Sequence, residues 1–236
     1  MKIGYNWLNI IQKNLLPPTC ILCGHAGMAD LDLCAPCLQH LPSNLHPCRQ
    51  CAQALPIDNY ANDRCKRCRQ FPPAYDRSYA PYLHQGAARH LVTALKFNGH
   101  YKNARLLGNL LAAHLKKQQA PLPEVIVPIP LHKTRYRERG FNQCIEIART
   151  VSKDLNLPLD LDACLRNRDT PHQTALPAKQ RRNNIKQAFS TTKPMTNLHI
   201  AVIDDVMTTG ATTHELATAL KLAGARQVDA WIFARA

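Results

Sequence analysis

The 236-residue chain carries 30 Lys and Arg against 16 Asp and Glu, a formal net charge of +14, with 45% hydrophobic and 19% charged residues. This balance excludes a disordered chain, and no apolar run approaches the roughly 18 residues that would span a bilayer. The length suits one large domain or two unequal ones, and the charge calls for anionic partners.

The first stretch, MKIGYNWLNIIQKNLLPPTC, sets Ile3, Trp7, Ile10, Ile11 and Leu15 near helical spacing. Asn6, Asn9, Gln12, Lys13 and Asn14 interrupt any secretory apolar segment, and no small-residue cleavage site follows. The spacing predicts a short amphipathic helix and a cytoplasmic protein.

Eight of the ten cysteines then fall in four CxxC pairs: Cys20/Cys23, Cys34/Cys37, Cys48/Cys51 and Cys65/Cys68. Two intervening residues let both thiolates of a tight knuckle face one ion, and two knuckles complete a tetrahedral shell around Zn²⁺. Four pairs imply two structural zinc ions. Disulfides do not persist in a cytosolic protein, and four repeated pairs are unlike the single CxxC of a redox dithiol. Ten, ten and thirteen residues separate successive pairs, so consecutive ribbons and a cross-brace would both close; consecutive ribbons are the favoured arrangement. Arg49, Arg64, Lys66, Arg67 and Arg69 are interleaved with the cysteines and could touch nucleic acid, although small zinc modules as often mediate protein contacts or merely pack. Cys144 and Cys164 stand alone and read as core thiols.

Pro72 and Pro73 mark a boundary, giving an N-terminal helix and double zinc-ribbon domain over 1–76 and a second domain over 77–236. The first part holds seven basic and five acidic residues, so nearly all of the positive excess belongs to the second. Residues 86–97 and 103–117 show helical periodicity, as does 141–155, where Phe141, Ile145, Ala148 and Val151 would share a face. EVIVPIP at 124–130, IAVID at 200–204 and QVDAWIFA at 227–234 read as strands, and ELATALKLAGA as a helix closed by Gly224. Strands alternating with helices predict an α/β domain with a parallel sheet, whose ligands bind at the carboxyl ends of the strands. Residues 165–193 carry seven basic side chains against Asp169 alone, a stretch suited to anions when it is not merely a solvated face.

The segment IAVIDDVMTTGATTHE at 200–215 follows this logic. Two adjacent acids at a strand end are costly without a use. The loop of Thr208, Thr209, Gly210, Ala211, Thr212 and Thr213 offers backbone N–H groups, hydroxyls and a helix start, which together make a phosphate cradle. Asp204 and Asp205 suit the vicinal hydroxyls of a ribose. A Walker loop and a Rossmann turn are excluded by their own glycine and lysine requirements.

VIDDVMTTGAT resembles the phosphoribosyl pyrophosphate motif of type I phosphoribosyltransferases. VPIPLHKTRYRERGFNQ at 127–143, RNRDTPHQTALPAKQRRNN at 166–184, LKFNG at 95–99 and the four CxxC pairs are similar to the ComF family of competence-associated proteins, also known as GntX. The resemblance implies a type I phosphoribosyltransferase-like sheet flanked by helices behind a small Cys-rich double zinc ribbon. It implies that Asp204 and Asp205 hold the ribose hydroxyls and that Thr208, Thr209, Gly210, Ala211 and Thr212 surround the 5-phosphate. Pro128, Ile129 and Pro130, with the loop to His132, would face the pyrophosphate and its magnesium. Mg²⁺ would bridge ligand oxygens rather than occupy a protein cage. Arg135, Arg137 and Arg139 with Gly140, Phe141 and Asn142 match the RGFNQ signature, while Arg166, Arg168, Gln173, Leu176, Arg181 and Asn184 match a flap over the site. Asp205 and Arg181 are the candidates for a direct part in transfer. The implied function is DNA uptake or utilisation with phosphoribosyl pyrophosphate as ligand and single-stranded DNA and uptake machinery as partners; the alternative is an active transferase with an unidentified acceptor.

Overall fold

The computed structural model describes residues 18–56, 63–169, 185 and 187–236, apart from the Asn98 side chain. The expected N-terminal helix and the flap positions Gln173, Leu176, Arg181 and Asn184 lie outside the described residues.

The cysteine-rich region holds two short helices, α1 (Ala35–Gln39) and α2 (Lys66–Gln70). Each begins just after the first cysteine of a CxxC pair, and Cys65 caps α2 by accepting the backbone N–H of Cys68. After it come strands β1 (Arg77–Tyr79) and β2 (Tyr82–Leu83), helices α3 (Gly86–Asn98) and α4 (Tyr101–Lys117), and strand β3 (Val125–Pro128). Helices α5 (Lys133–Arg139) and α6 (Gln143–Leu155) lead to a small antiparallel pair, β4 (Cys164–Arg166) with β5 (Phe189–Thr191). The chain continues through β6 (His199–Met207), α7 (Ala211–Leu222) and β7 (Gln227–Arg235).

The main sheet is parallel throughout, in the order β1, β7, β6, β3, with β2 continuing beside β7 beyond β1. Its two long central strands are buried on both faces, so their apolar residues run continuously and sort by parity. Ala201, Ile203, Trp231 and Phe233 join the cluster that contains leucines of α3 and α4. Ile200, Val202, Ala230 and Ile232 join Leu216 and Leu220 of α7 in the other. This is an α/β sandwich of helices around a parallel sheet, as expected.

Local details depart from the sequence reading. On α6 the buried positions are Cys144, Ile147, Ala148 and Val151, and Ile145 is only half-buried. Asn142 caps this helix, its side-chain oxygen accepting the Cys144 N–H at 2.9 Å, and the expected Phe141, Ala148 and Val151 are all buried. β6 runs past Asp204 and Asp205 to Met207, because pairing with β7 continues to Arg235.

The zinc-binding region covers the β1 edge. Ser78 N–H donates to the Arg49 carbonyl at 3.0 Å, Asn44 N–H to Pro81 at 2.8 Å and Leu83 N–H to Pro42 at 2.7 Å. Buried Asn44 adds side-chain bonds to the carbonyls of Ala52 and Ala80. An edge otherwise open to strand addition is thereby occupied. Among the described residues no helix is long and apolar enough to cross a membrane.

On the helical layer, α4 meets α6 at Gly108, where an added Cβ would lie 2.5 Å from Thr150 Cβ and 3.0 Å from the Ile147 carbonyl oxygen. Gly108→Ala therefore forces the two helices apart and lowers stability by about 1–3 kcal/mol, measurable by denaturant unfolding; an unchanged midpoint would contradict the close approach.

Candidate functional site

The cysteines divide into two sets, Cys20, Cys23, Cys34 and Cys37, and Cys48, Cys51, Cys65 and Cys68, with the ligand atoms of each set within 4.8 Å of one another. The pairing is consecutive. The Sγ atoms of Cys23 and Cys34 are 3.6 Å apart and those of Cys51 and Cys65 are 3.7 Å apart. A tetrahedral shell with Zn–S near 2.3 Å sets its sulfurs about 3.8 Å apart, whereas a disulfide requires about 2.05 Å. Backbone amides point at the sulfurs, with Cys65 N–H 3.2 Å from Cys48 Sγ. A hydrogen bond from the Cys51 thiol, helped by such amides and opposed by burial, brings Cys48 down to about 4. Burial alone would raise Cys20, but the amides of Cys34, Cys23 and Leu22 prevail and bring it to about 6. Both sets fit structural zinc ions.

The acid pair lies near the carboxyl end of β6. Asp205 is 2% exposed and Asp204 is partly covered. Asp204 Oδ1 accepts the Asp205 N–H at 2.9 Å and the Cys144 thiol at 3.3 Å. Asp205 Oδ1 accepts Val206 N–H at 2.8 Å, and its Oδ2 meets Lys96 Nζ at 2.8 Å. Lys96 comes from the last turn of α3, which ends at Gly99 with φ 64°, a left-handed stop suited to glycine. Burial, then the charge of Asp205, raise Asp204 to about 7. Burial opposes the charge on Lys96, but the acids override it and hold the ammonium above its usual range. Burial and Asp204 push the Cys144 thiol well up, so it acts here as a donor.

Around these groups opens a cavity of about 410 Å³. Ile129 and Thr212 line it together with the cations Lys96, Arg89, Arg135, Arg139 and Arg166. Asn142 Nδ2 holds the Ile129 carbonyl at 2.9 Å, which fixes the loop after β3 against the start of α6. The site thus presents two carboxylates on its floor and guanidinium groups on its walls, suited to a sugar diol and a diphosphate respectively.

Several expected residues meet here: Asp204, Asp205, Ile129 and Thr212 share the cavity, and Pro128 and Pro130 flank Ile129. Thr209, Gly210 and Ala211 instead border a second cleft that faces the second cysteine set. Thr208 is exposed in the connection. α7 begins directly after Gly210, at φ 75°, with no side-chain cap. Arg181 lies outside the described residues. Cys144, expected to be an ordinary core thiol, is buried but bonded to the acid pair. Lys96 was visible in LKFNG, yet nothing local in that string ties it to an acid more than a hundred residues later.

A carboxyl whose folded value is raised favours the folded state below its ordinary value near 4 and loses that contribution as pH climbs through about 7. Asp204→Asn is therefore expected to gain stability over the natural protein progressively between pH 4 and pH 7, with a constant difference above. Denaturant unfolding at several pH values measures this; a difference independent of pH would show that Asp204 does not titrate upward.

Comparison with known proteins places these features. Residues 11–69 match the family described as Double zinc ribbon domain. The chain is 33% identical over 235 residues to DNA utilization protein YhgH of Escherichia coli (strain K12), covering 93% of this chain and 98% of that one. It is 30% identical over 225 residues to Competence protein F of Haemophilus influenzae, covering 92% and 96%. Competence protein ComFC of Streptococcus pneumoniae is 27% identical over 156 residues, covering 66% and 67%. Among solved structures, glutamine phosphoribosylpyrophosphate amidotransferase from B. subtilis superimposes on 55% of this chain and 25% of its own, with 21% identity and a TM-score of 0.38. Purine phosphoribosyltransferase from Pyrococcus horikoshii Ot3 covers 56% and 83%, with 16% identity and a TM-score of 0.35. With two Cys₄ modules covering the edge of a parallel α/β sheet, and likeness to YhgH and Competence protein F over more than nine-tenths of each chain, the chain belongs to the ComF family that includes them.

Proposed function

We propose that the protein binds phosphoribosyl pyrophosphate with Mg²⁺ in the acid-pair cavity and serves the utilisation or uptake of DNA. The observation that carries this reading is the pair Asp204–Asp205, set beside Lys96 in a cavity also lined by Arg89, Arg135, Arg139 and Arg166. Buried carboxylates suit a diol that donates two hydrogen bonds, and a cationic wall suits a diphosphate. Mg²⁺, when bound with the ligand, supplies charge neutralisation of the diphosphate. The names of the relatives supply the biological context. Isothermal calorimetry with phosphoribosyl pyrophosphate and Mg²⁺ should give binding that Asp204→Ala with Asp205→Ala lowers by at least about tenfold, roughly 1.4 kcal/mol. Equal affinity in the double variant would remove the ligand from this site. Pyrophosphate release in a screen of bases and amines would extend binding to transfer.

A second ligand, single-stranded DNA, is favoured by a specific arrangement. Phe97, Tyr101 and Tyr136 are exposed at 65%, 55% and 49%, although the whole chain is only 6% aromatic. Arg139 stands 5.8 Å from the Phe97 ring centroid, and Tyr101 packs on Phe141 with centroids 4.6 Å apart. Lys96, Phe97, Arg135 and Arg139 also line a hollow of about 280 Å³ adjoining the acid-pair cavity. Rings for bases beside cations for phosphates are the elements of a single-strand surface. Phe97→Ala should weaken binding of a short single-stranded oligonucleotide by about 1–3 kcal/mol, and Arg139→Ala should reduce the salt dependence by about one phosphate contact. Fluorescence anisotropy at several salt concentrations reads both, and unchanged affinity in both variants would sink the surface.

A further inference from the structure

The two cysteine modules attach to the domain at different places. Asp32 of the first pairs with Arg105 on α4, and Cys20 and Leu33 join the apolar cluster that holds the leucines of α4. The second reaches the loop after β6. Arg67, between the ligands Cys65 and Cys68, donates from Nη2 to the Thr209 carbonyl at 3.2 Å. Arg235, 5% exposed, joins the Cys51 carbonyl through Nε at 3.0 Å to the Met207 carbonyl through Nη1 at 2.9 Å. The Tyr75 hydroxyl donates to Met207 Sδ at 3.7 Å, and an added Cβ on Gly210 would lie 2.7 Å from that hydroxyl. Cys51 and Cys68 themselves line the cleft of about 220 Å³ that borders Thr209 and Gly210.

We propose that Arg67 is a positioning residue for the 208–212 loop, so that metal in the second Cys₄ shell, and not in the first, sets this loop for an anionic ligand. The inference rests on the reading of that loop as a phosphate cradle. The peptide between Thr209 and Gly210 is planar and trans, so its carbonyl and its N–H point in opposite directions. By drawing the Thr209 carbonyl toward the zinc module, Arg67 turns the Gly210 N–H away from it. Gly210, at φ 75°, sits where other residues are strained, so the contact acts on the joint that starts α7. Helix α2, which carries Arg67, is five residues long, too short to stand on its own hydrogen bonds. Zinc held by Cys48, Cys51, Cys65 and Cys68 would fix it in place. Loss of that ion releases Arg67 together with the shell, whereas loosening the first module leaves the loop untouched.

The test uses the full chain loaded with zinc. Amide hydrogen exchange over residues 207–212 is expected to accelerate in Arg67→Ala and Cys68→Ser, to be partly restored in Arg67→Lys, and to be unchanged in Arg105→Ala. Cys68→Ser should also lower the metal content from two zinc per chain to one, while Arg67→Ala keeps both ions and its unfolding midpoint. Ribose 5-phosphate, titrated calorimetrically, should bind Arg67→Ala about tenfold more weakly than the natural protein. Natural loop protection in Arg67→Ala, or equal loss in Arg105→Ala, would overturn the proposal. If the natural protein fails to bind ribose 5-phosphate while the exchange pattern is as expected, the phosphate-cradle reading falls and the mechanical coupling stands.

Discussion

Two neighbouring carboxylates inside a parallel sheet are the constraint around which this site is built. Asp205 is buried and Asp204 is partly covered beside it, and like charges so close cannot both remain ionised without help. Part of that help is Lys96, brought in from the end of α3, and part is the Cys144 thiol from the start of α6. Arg89, Arg135, Arg139 and Arg166 line the same cavity. A ligand that supplies its own hydroxyls and cation would take over a task that Lys96 performs in the absence of one.

The cysteine modules solve a different problem. The first and shortest strands of the sheet, β1 and β2, would leave an open edge, and residues 42–50 close it through backbone bonds. Residues 18–56 contribute few large apolar side chains, so the metal supplies the rigidity that makes such an edge cover dependable. Zinc binding and sheet protection are in this sense one device.

Much of this was legible in the sequence because it is local. CxxC spacing, the β-branched runs at 124–130, 200–204 and 227–234, and the acid pair with its Thr-rich loop are all contained within a few residues. What escaped is what distance along the chain hides. Lys96 and Cys144 reach Asp205 and Asp204 only through the fold, and a two- or three-residue strand such as β2 or β4 carries no periodic signal. Around α6 the apolar pattern located Phe141, Ala148 and Val151 but missed Cys144 and Ile147, which are buried while Ile145 is only half-covered. The division of the Thr loop between two clefts depends on Tyr75, Arg67 and Arg235, and no motif in the loop announces them.

The order of the strands has a consequence for how the protein is made. β7 follows every other strand of the sheet in the chain, yet it sits between β1 and β6, and Val228 N–H reaches back across 152 positions to Asp76. During synthesis the sheet must wait for residues 227–235 to leave the ribosome, whereas the cysteine pairs emerge early. Pairing across such separations is slow because loop closure precedes any gain from contact. The central pairing of the sheet, which includes the strand that carries the acid pair, is thus completed only once this last strand is available.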